Sequence, residues 1–129
     1  FILDADDEAL ARKYEDALVT VLPSVYEDVY GRKHRLPELL GLSLLESMSC
    51  ATPVICTNVG GMPEVVRDGV NGFVVAPNDP HALAERLTWF FNNPEKAREM
   101  GQNGRNIVRD GFTWDHVAAR CTQLYFRES

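Results

Sequence analysis

The sequence is short of the features that would place it in several broad classes. Three cysteines (Cys50, Cys56 and Cys121) in 129 residues have neither the number nor the spacing of a disulfide framework or a zinc site. A small stapled scaffold is therefore excluded, and reduced thiols in a cytoplasmic setting are the expectation. No apolar run approaches the length of about 20 residues that spans a bilayer, and the start of the chain lacks the pattern of a signal peptide. No transmembrane segment is expected. Lysine and arginine number 13 against 19 aspartates and glutamates, so the net charge of −6 disfavours nucleic acid and anionic membranes as partners of the molecule as a whole. There is no internal repeat, no low-complexity segment and no cluster with metal-ligand spacing. No cysteine has the His and Asp companions of a nucleophile. An initial methionine is also missing: the chain begins at Phe1 and reads as cut from something longer.

What remains is an ordinary globular composition, 45% apolar and 25% charged, enough for one domain over residues 1–129. Asp6 is placed to cap a first helix carrying Leu10, Tyr14 and Ala17 at near-helical spacing. Leu18 to Leu22 reads as a buried strand ended by Pro23. Residues 24 to 37 form a loop with Tyr26, Tyr30, Gly31 and a basic cluster. A helix is predicted from Leu42 to about Cys50, and strands over Pro53 to Thr57 and Phe73 to Ala76. Asp79-Pro80 and Asn93-Pro94 each combine an N-cap with a proline at the first helical position. Gly101 and Gly104 count against continuity of the second of those helices, and Gly111 stands where a left-handed residue would end it. Thr113 is placed to cap a last helix with Trp114, Val117, Ala118, Cys121, Leu124 and Tyr125 on one face. Strands alternating with helices predict an α/β fold, a Rossmann-like parallel sheet flanked by helices. The ligand crevice of such a sheet lies beyond the C-terminal ends of its strands. That is where the loops carrying Ser24 through Glu38 and Asn58 through Glu64 fall.

Within those loops the informative pattern is a pair of carboxylates, Glu38 and Glu46, around Leu39-Leu40-Gly41-Leu42-Ser43-Leu44-Leu45. If Gly41 starts the helix, the amides of residues 41 to 43 point out of its N-terminus. Such an end carries about half a positive charge and suits a phosphate or a sugar hydroxyl. Glu46 lies one turn inside, and helical side chains lean toward the N-terminus, so its carboxylate is expected to approach the mouth that Glu38 guards. A carboxylate only accepts hydrogen bonds and can take two hydroxyl donors, as a vicinal diol such as ribose offers. The arrangement reads as a site for a phosphorylated sugar.

Several motifs in order carry a resemblance. They are Leu22-Pro23-Ser24-Val25-Tyr26, Glu38 through Glu46, and Leu45-Glu46-Ser47-Met48-Ser49-Cys50-Ala51-Thr52-Pro53-Val54-Ile55. They continue with Gly60-Gly61-Met62-Pro63-Glu64-Val65-Val66-Arg67-Asp68-Gly69, Asn71-Gly72-Phe73-Val74-Val75, Asp79-Pro80-His81-Ala82-Leu83-Ala84, Met100-Gly101 and Phe112-Thr113-Trp114. The chain resembles the nucleotide-sugar domain of retaining glycosyltransferases of family 4, the group 1 type, with the GT-B fold. The likeness covers nearly its whole length and corresponds to the second half of the C-terminal, donor-binding domain. The resemblance implies that Glu38 touches the donor sugar hydroxyls, the catalytic position, and that Glu46 holds the ribose hydroxyls. Leu40, Gly41, Leu42 and Ser43 would offer main-chain groups to the diphosphate and sugar, with no metal or other cofactor. Ser24, Gly60, Gly61 and Glu64 are further candidates.

The acceptor would be held by an N-terminal domain outside this chain, and a basic Arg and Lys pair that neutralises the leaving diphosphate in the family has no match here. The fragment alone is therefore expected to be inactive. The intact protein would be cytoplasmic or peripheral at the membrane, working in polysaccharide or glycoconjugate synthesis. The long stretch from Glu27 to Pro37 and Leu40 in place of an aromatic residue depart from the family pattern, and both bear on the sugar. Two other readings are a non-catalytic nucleotide-sugar binding or assembly module, and another GT-B enzyme such as a sugar-nucleotide epimerase.

Several residues keep two readings. Gly60 and Gly61 serve a tight turn, with or without close approach of a ligand. Glu64 caps a short helix after Pro63 or points into the site. Arg32-Lys33-His34-Arg35 is a solvated loop or binds a phosphate on the acceptor. Cys50 and Cys56 are expected to be buried. The apolar stripe of the last helix is a candidate for self-association.

Overall fold

The computed structural model describes residues 4–33 and 38–126. His34, Arg35, Leu36 and Pro37, within the loop expected over 24 to 37, lie outside the described residues.

Helix α1 (Asp7–Asp16) starts as its sequence dictates, with the Asp6 carboxylate accepting from the Ala9 amide at 2.7 Å. It leads into β1 (Thr20–Leu22), α2 (Leu42–Ser49), β2 (Val54–Thr57), the short α3 (Met62–Val65) and β3 (Gly72–Val75). The helices α4 (Pro80–Asn92), α5 (Pro94–Gly111) and α6 (Trp114–Tyr125) complete the chain. The three strands form a parallel sheet in the order β1-β2-β3, with Val21 opposite Ile55 and Ile55 opposite Phe73. Central β2 is buried along its whole length, which is why it reads as an unbroken apolar run. Helices thus flank a parallel Rossmann-like sheet, as expected.

Successive side chains of a strand point to opposite faces, and this divides the core in two. Val54 and Cys56 face α2 and α3, packing with Leu44, Met48, Met62 and Val65. Ile55, with Phe73 and Val75, faces the other way onto Phe90 of α4 and Ala97 and Met100 of α5. Phe73, Trp89 and Phe90 meet edge to face, with centroids 5.0 to 5.4 Å apart. All three strands point the same way, so the loops after Leu22, Thr57 and Val75 leave from one edge of the sheet.

Four local expectations are corrected. Helix α5 runs unbroken through Gly101 and Gly104 because they let it press against the α2–β2 turn. A Cβ on Gly101 would stand 1.9 Å from the Ala51 carbonyl oxygen, and one on Gly104 would stand 3.0 Å from the Met48 side chain. The favourable packing outweighs a propensity cost of about 1 kcal/mol per glycine. Gly111 does not end the helix in a left-handed conformation; it is the last helical residue, and Phe112 is the C-cap. Asn93 precedes α5 but makes no side-chain cap; its amide nitrogen donates back to the Trp89 carbonyl at 2.8 Å. Thr113 occupies the N-cap position of α6 without capping it, because its hydroxyl pairs with His116 Nδ1 at 2.7 Å. Helix α6 buries no residue, and Trp114, Leu124 and Tyr125 lie exposed along it.

Candidate functional site

The site is assembled where the loop after β1 meets α2. Leu22 ends β1, and the Ser24 carbonyl then accepts from the Thr57 hydroxyl at 2.5 Å, tying this loop to the end of β2. The loop continues into a small folded finger. Glu27 and Lys33 bridge, and the Asp28 carboxylate accepts from the amides of Tyr30 and Arg32, both at 2.9 Å. The exposed Arg32 guanidinium lies over the Tyr30 ring, 5.4 Å from its centroid. The other two members of the basic cluster, His34 and Arg35, fall outside the described residues.

Gly41 is the N-cap of α2 and lies in the left-handed region, φ 77°. This sharp turn folds Glu38 back onto the helix mouth, where its half-buried carboxylate accepts from the Gly41 amide through Oε1 at 3.2 Å. A Cβ on Gly41 would also meet Leu44 at 2.9 Å and Leu22 at 3.2 Å. Glycine is thus required here twice, for its φ and for the close packing of the helix start on the core. Among the described residues no side chain caps α2, and the amides of Leu42 and Ser43 follow in its first turn, where helical geometry leaves N–H groups without intrahelical partners. Leu40 packs into the core from one side, whereas Leu39 and Leu42 face outward.

Gly60 and Gly61 pack under this turn. Gly60 has φ 56°, and its amide donates to the Tyr26 hydroxyl at 3.1 Å. The Gly61 amide lies 3.0 Å from the Leu39 carbonyl and 3.4 Å from that of Glu38. A Cβ at Gly60 would fall 1.6 Å from the Glu38 oxygen, and one at Gly61 would fall 2.1 Å from the Leu39 oxygen. The close approach these glycines permit is to the chain's own Glu38–Leu40 turn. Glu64 is exposed in the first turn of α3, and that helix has no side-chain cap, so the capping reading of Glu64 is corrected.

Glu38, Leu40, Gly41, Gly60 and Gly61 therefore meet in one place. Glu46 has a different neighbour. Its Oε2 accepts from the Tyr14 hydroxyl of α1 at 3.1 Å. The two side chains share a groove of about 320 Å³ between α1 and α2 with Leu10, Ala11, Ser49 and Cys50. The Tyr14 phenol is pushed up to about 12, chiefly by burial, then by the hydrogen bond and charge of Glu46, with a smaller effect of Cys50. Sequence reasoning assigned Tyr14 only to the apolar stripe of α1, and no local signal joins it to Glu46, 32 positions away. Cys50 is half-buried in the groove rather than buried, while Cys56 is in the core as expected.

A further cavity of about 410 Å³, not anticipated from sequence, lies between the loop after β1 and the start of α4. Pro23, Val25, Val29, Val75 and Leu83 supply much of its wall. Among the described residues no three His, Cys, Asp or Glu side chains are grouped to hold a metal ion, and no helix is long and apolar enough to cross a membrane.

Comparison with known proteins places this geometry in context. A family model described as glycosyl transferases group 1 matches residues 1–107. Alpha-maltose-1-phosphate synthase from Mycolicibacterium smegmatis is 40% identical over 119 residues, covering 88% of this chain and 28% of that protein. The structure of sucrose-phosphate synthase from Thermosynechococcus elongatus superposes with a TM-score of 0.83 at 37% identity, over 98% of this chain and 29% of that one. HepE from Anabaena, crystallised with UDP-glucose, shares the fold with a TM-score of 0.74 at 20% identity, over 91% of this chain and 29% of its own. The chain thus spans less than a third of the length of each.

Proposed function

The chain belongs to the glycosyl transferases group 1 family, and from that premise we propose that it carries part of the nucleotide-sugar donor site of a retaining transferase. The observation that carries this reading is the Glu38–Gly41 turn, which sets a carboxylate and the uncapped N-terminus of α2 side by side. In the proposed site the amides of Leu42 and Ser43 meet the donor diphosphate, and the positive end of α2 stabilises the charge that grows there as it leaves. Such a term is worth several kcal/mol in a water-poor cleft. Glu38 takes hydroxyls of the transferred sugar and Glu46 takes the ribose diol. The bond from the anomeric carbon to the diphosphate oxygen breaks, and a bond to an acceptor oxygen forms with retention. The acceptor is assigned to a part of the protein outside this chain, so the chain alone binds donor without transferring sugar. HepE's complex with UDP-glucose supports the donor class and makes UDP the first probe.

The test is an amide NMR titration with UDP, GDP and ADP. Shifts at Gly41, Leu42, Ser43 and Glu46, lost in Glu46→Ala, are expected with one of them. A folded spectrum that stays still at millimolar nucleotide would remove the donor-site reading from this chain.

A further inference from the structure

A hydrogen bond from the Tyr14 hydroxyl of α1 to Glu46 Oε2 of α2 spans the groove between the two helices at 3.1 Å. Glu46 is exposed on the second turn of α2, and a free glutamate loses rotamer entropy when a ligand orders it. Tyr14 removes part of that freedom in advance. Its hydroxyl donates to Oε2, which leaves Oε1 and the remaining lone pairs to accept from a ligand. Tyr14 is itself anchored at its main chain. Its carbonyl accepts from the Thr52 hydroxyl at 2.6 Å and from the Ala17 amide at 3.1 Å, and Thr52 is buried. The side chain lines the groove between α1 and α2 beside Leu10 and Ala11. Burial and the Glu46 carboxylate push the phenol up to about 12, so it keeps its proton and remains a donor at neutral pH.

Resting on the donor-site reading above, we infer that Tyr14 is a positioning residue for Glu46, presenting one carboxylate oxygen to the ribose diol of the nucleotide. Tyr14 touches no reacting atom. Its contribution is to spare the ligand part of the cost of ordering Glu46, which is how preorganisation raises affinity.

The inference separates from a structural role through the sugar of the probe. The dissociation constants of UDP and 2′,3′-dideoxy-UDP are measured for the parent chain, Tyr14→Phe, Glu46→Ala and the double variant. Phenylalanine keeps the ring and its packing and removes only the donor. Tyr14→Phe is expected to weaken UDP roughly three- to tenfold, the worth of one modest hydrogen bond, and to leave dideoxy-UDP unchanged. Glu46→Ala should erase the preference for the ribose form, and adding Tyr14→Phe should then cost nothing more. If Glu46→Ala erases the preference while Tyr14→Phe keeps it whole, the positioning role is wrong and the donor site stands. If Glu46→Ala keeps the preference, the donor-site reading itself fails. A ligand-free check tests the contact: phenolate absorbance should place Tyr14 near 12 and lower in Glu46→Gln. Because burial alone raises the phenol, the difference between the two proteins is the readout: equal Tyr14 titration in the parent and Glu46→Gln would overturn the inference without any nucleotide.

Discussion

Replacing Gly60 by alanine tests the geometry on which the site depends. The new methyl group would begin 1.6 Å from the Glu38 carbonyl oxygen, where ordinary contact starts at 3.4 Å, so the Glu38–Leu40 turn must retreat by about 1.8 Å. Two costs arise. A left-handed backbone at φ 56° costs a residue with a Cβ about 1–2 kcal/mol, and forcing apart a packed contact costs about 1–3 kcal/mol more. Gly69 separates them: it also has a positive φ, 74°, but nothing lies within 4 Å of its absent Cβ. Gly69→Ala should pay the backbone term alone, leaving Gly60→Ala less stable than it by about 1–3 kcal/mol in urea unfolding. The Gly41 amide resonance should also move in Gly60→Ala alone, because the retreat pulls the Glu38 carboxylate from its 3.2 Å contact. Equal unfolding midpoints for the two variants, with the Gly41 resonance unmoved, would show that the turn does not rest on Gly60.

Other residues give independent tests. Asn71 is fully buried, its Nδ2 donates to the Val65 carbonyl at 3.0 Å, and its Oδ1 accepts from the Arg67 amide at 2.7 Å. Asn71→Ala leaves both backbone groups without that partner and should cost about 2–5 kcal/mol at the usual penalty for unsatisfied buried groups; a melting temperature equal to the parent's would refute the assignment. The Cys56 thiol is pushed up from 9.0 to about 12, mainly by burial and then by the charge of Asp68. Its folded value is raised, so its stabilising contribution is complete below pH 9 and is lost as pH climbs from there toward 12. At pH 8, iodoacetamide should modify exposed Cys121 readily and reach Cys56 only as the protein unfolds. Equal labelling of the two by mass spectrometry would place Cys56 outside the core.

The fold was largely legible because its signals are local. Asp6 and Asp79 each hold an amide three residues on, Pro80 and Pro94 start helices, and the run around Val54–Thr57 is apolar because both faces of β2 are covered. The ends of strands were less accurate. The stretch from Leu18 pairs only from Thr20, opposite Val54, while Leu18 is exposed; the third strand begins at Gly72, opposite that same Val54. Register belongs to two strands jointly, and neither states it alone.

In the candidate site, the Glu38-to-Glu46 spacing and the glycine that opens α2 were determined by the sequence itself, because a left-handed residue followed by a helical run is a local conformational fact. Tertiary structure alone decided which groups those residues meet. Tyr14 reaches Glu46 across 32 positions and Tyr26 reaches Gly60 across 34. Gly101 seats α5 on Ala51, and Gly60 and Gly61 lie beneath Glu38 and Leu39. The physical reason is that a contact between distant residues depends on the path of the chain between them, which local patterns of polarity and conformation leave open.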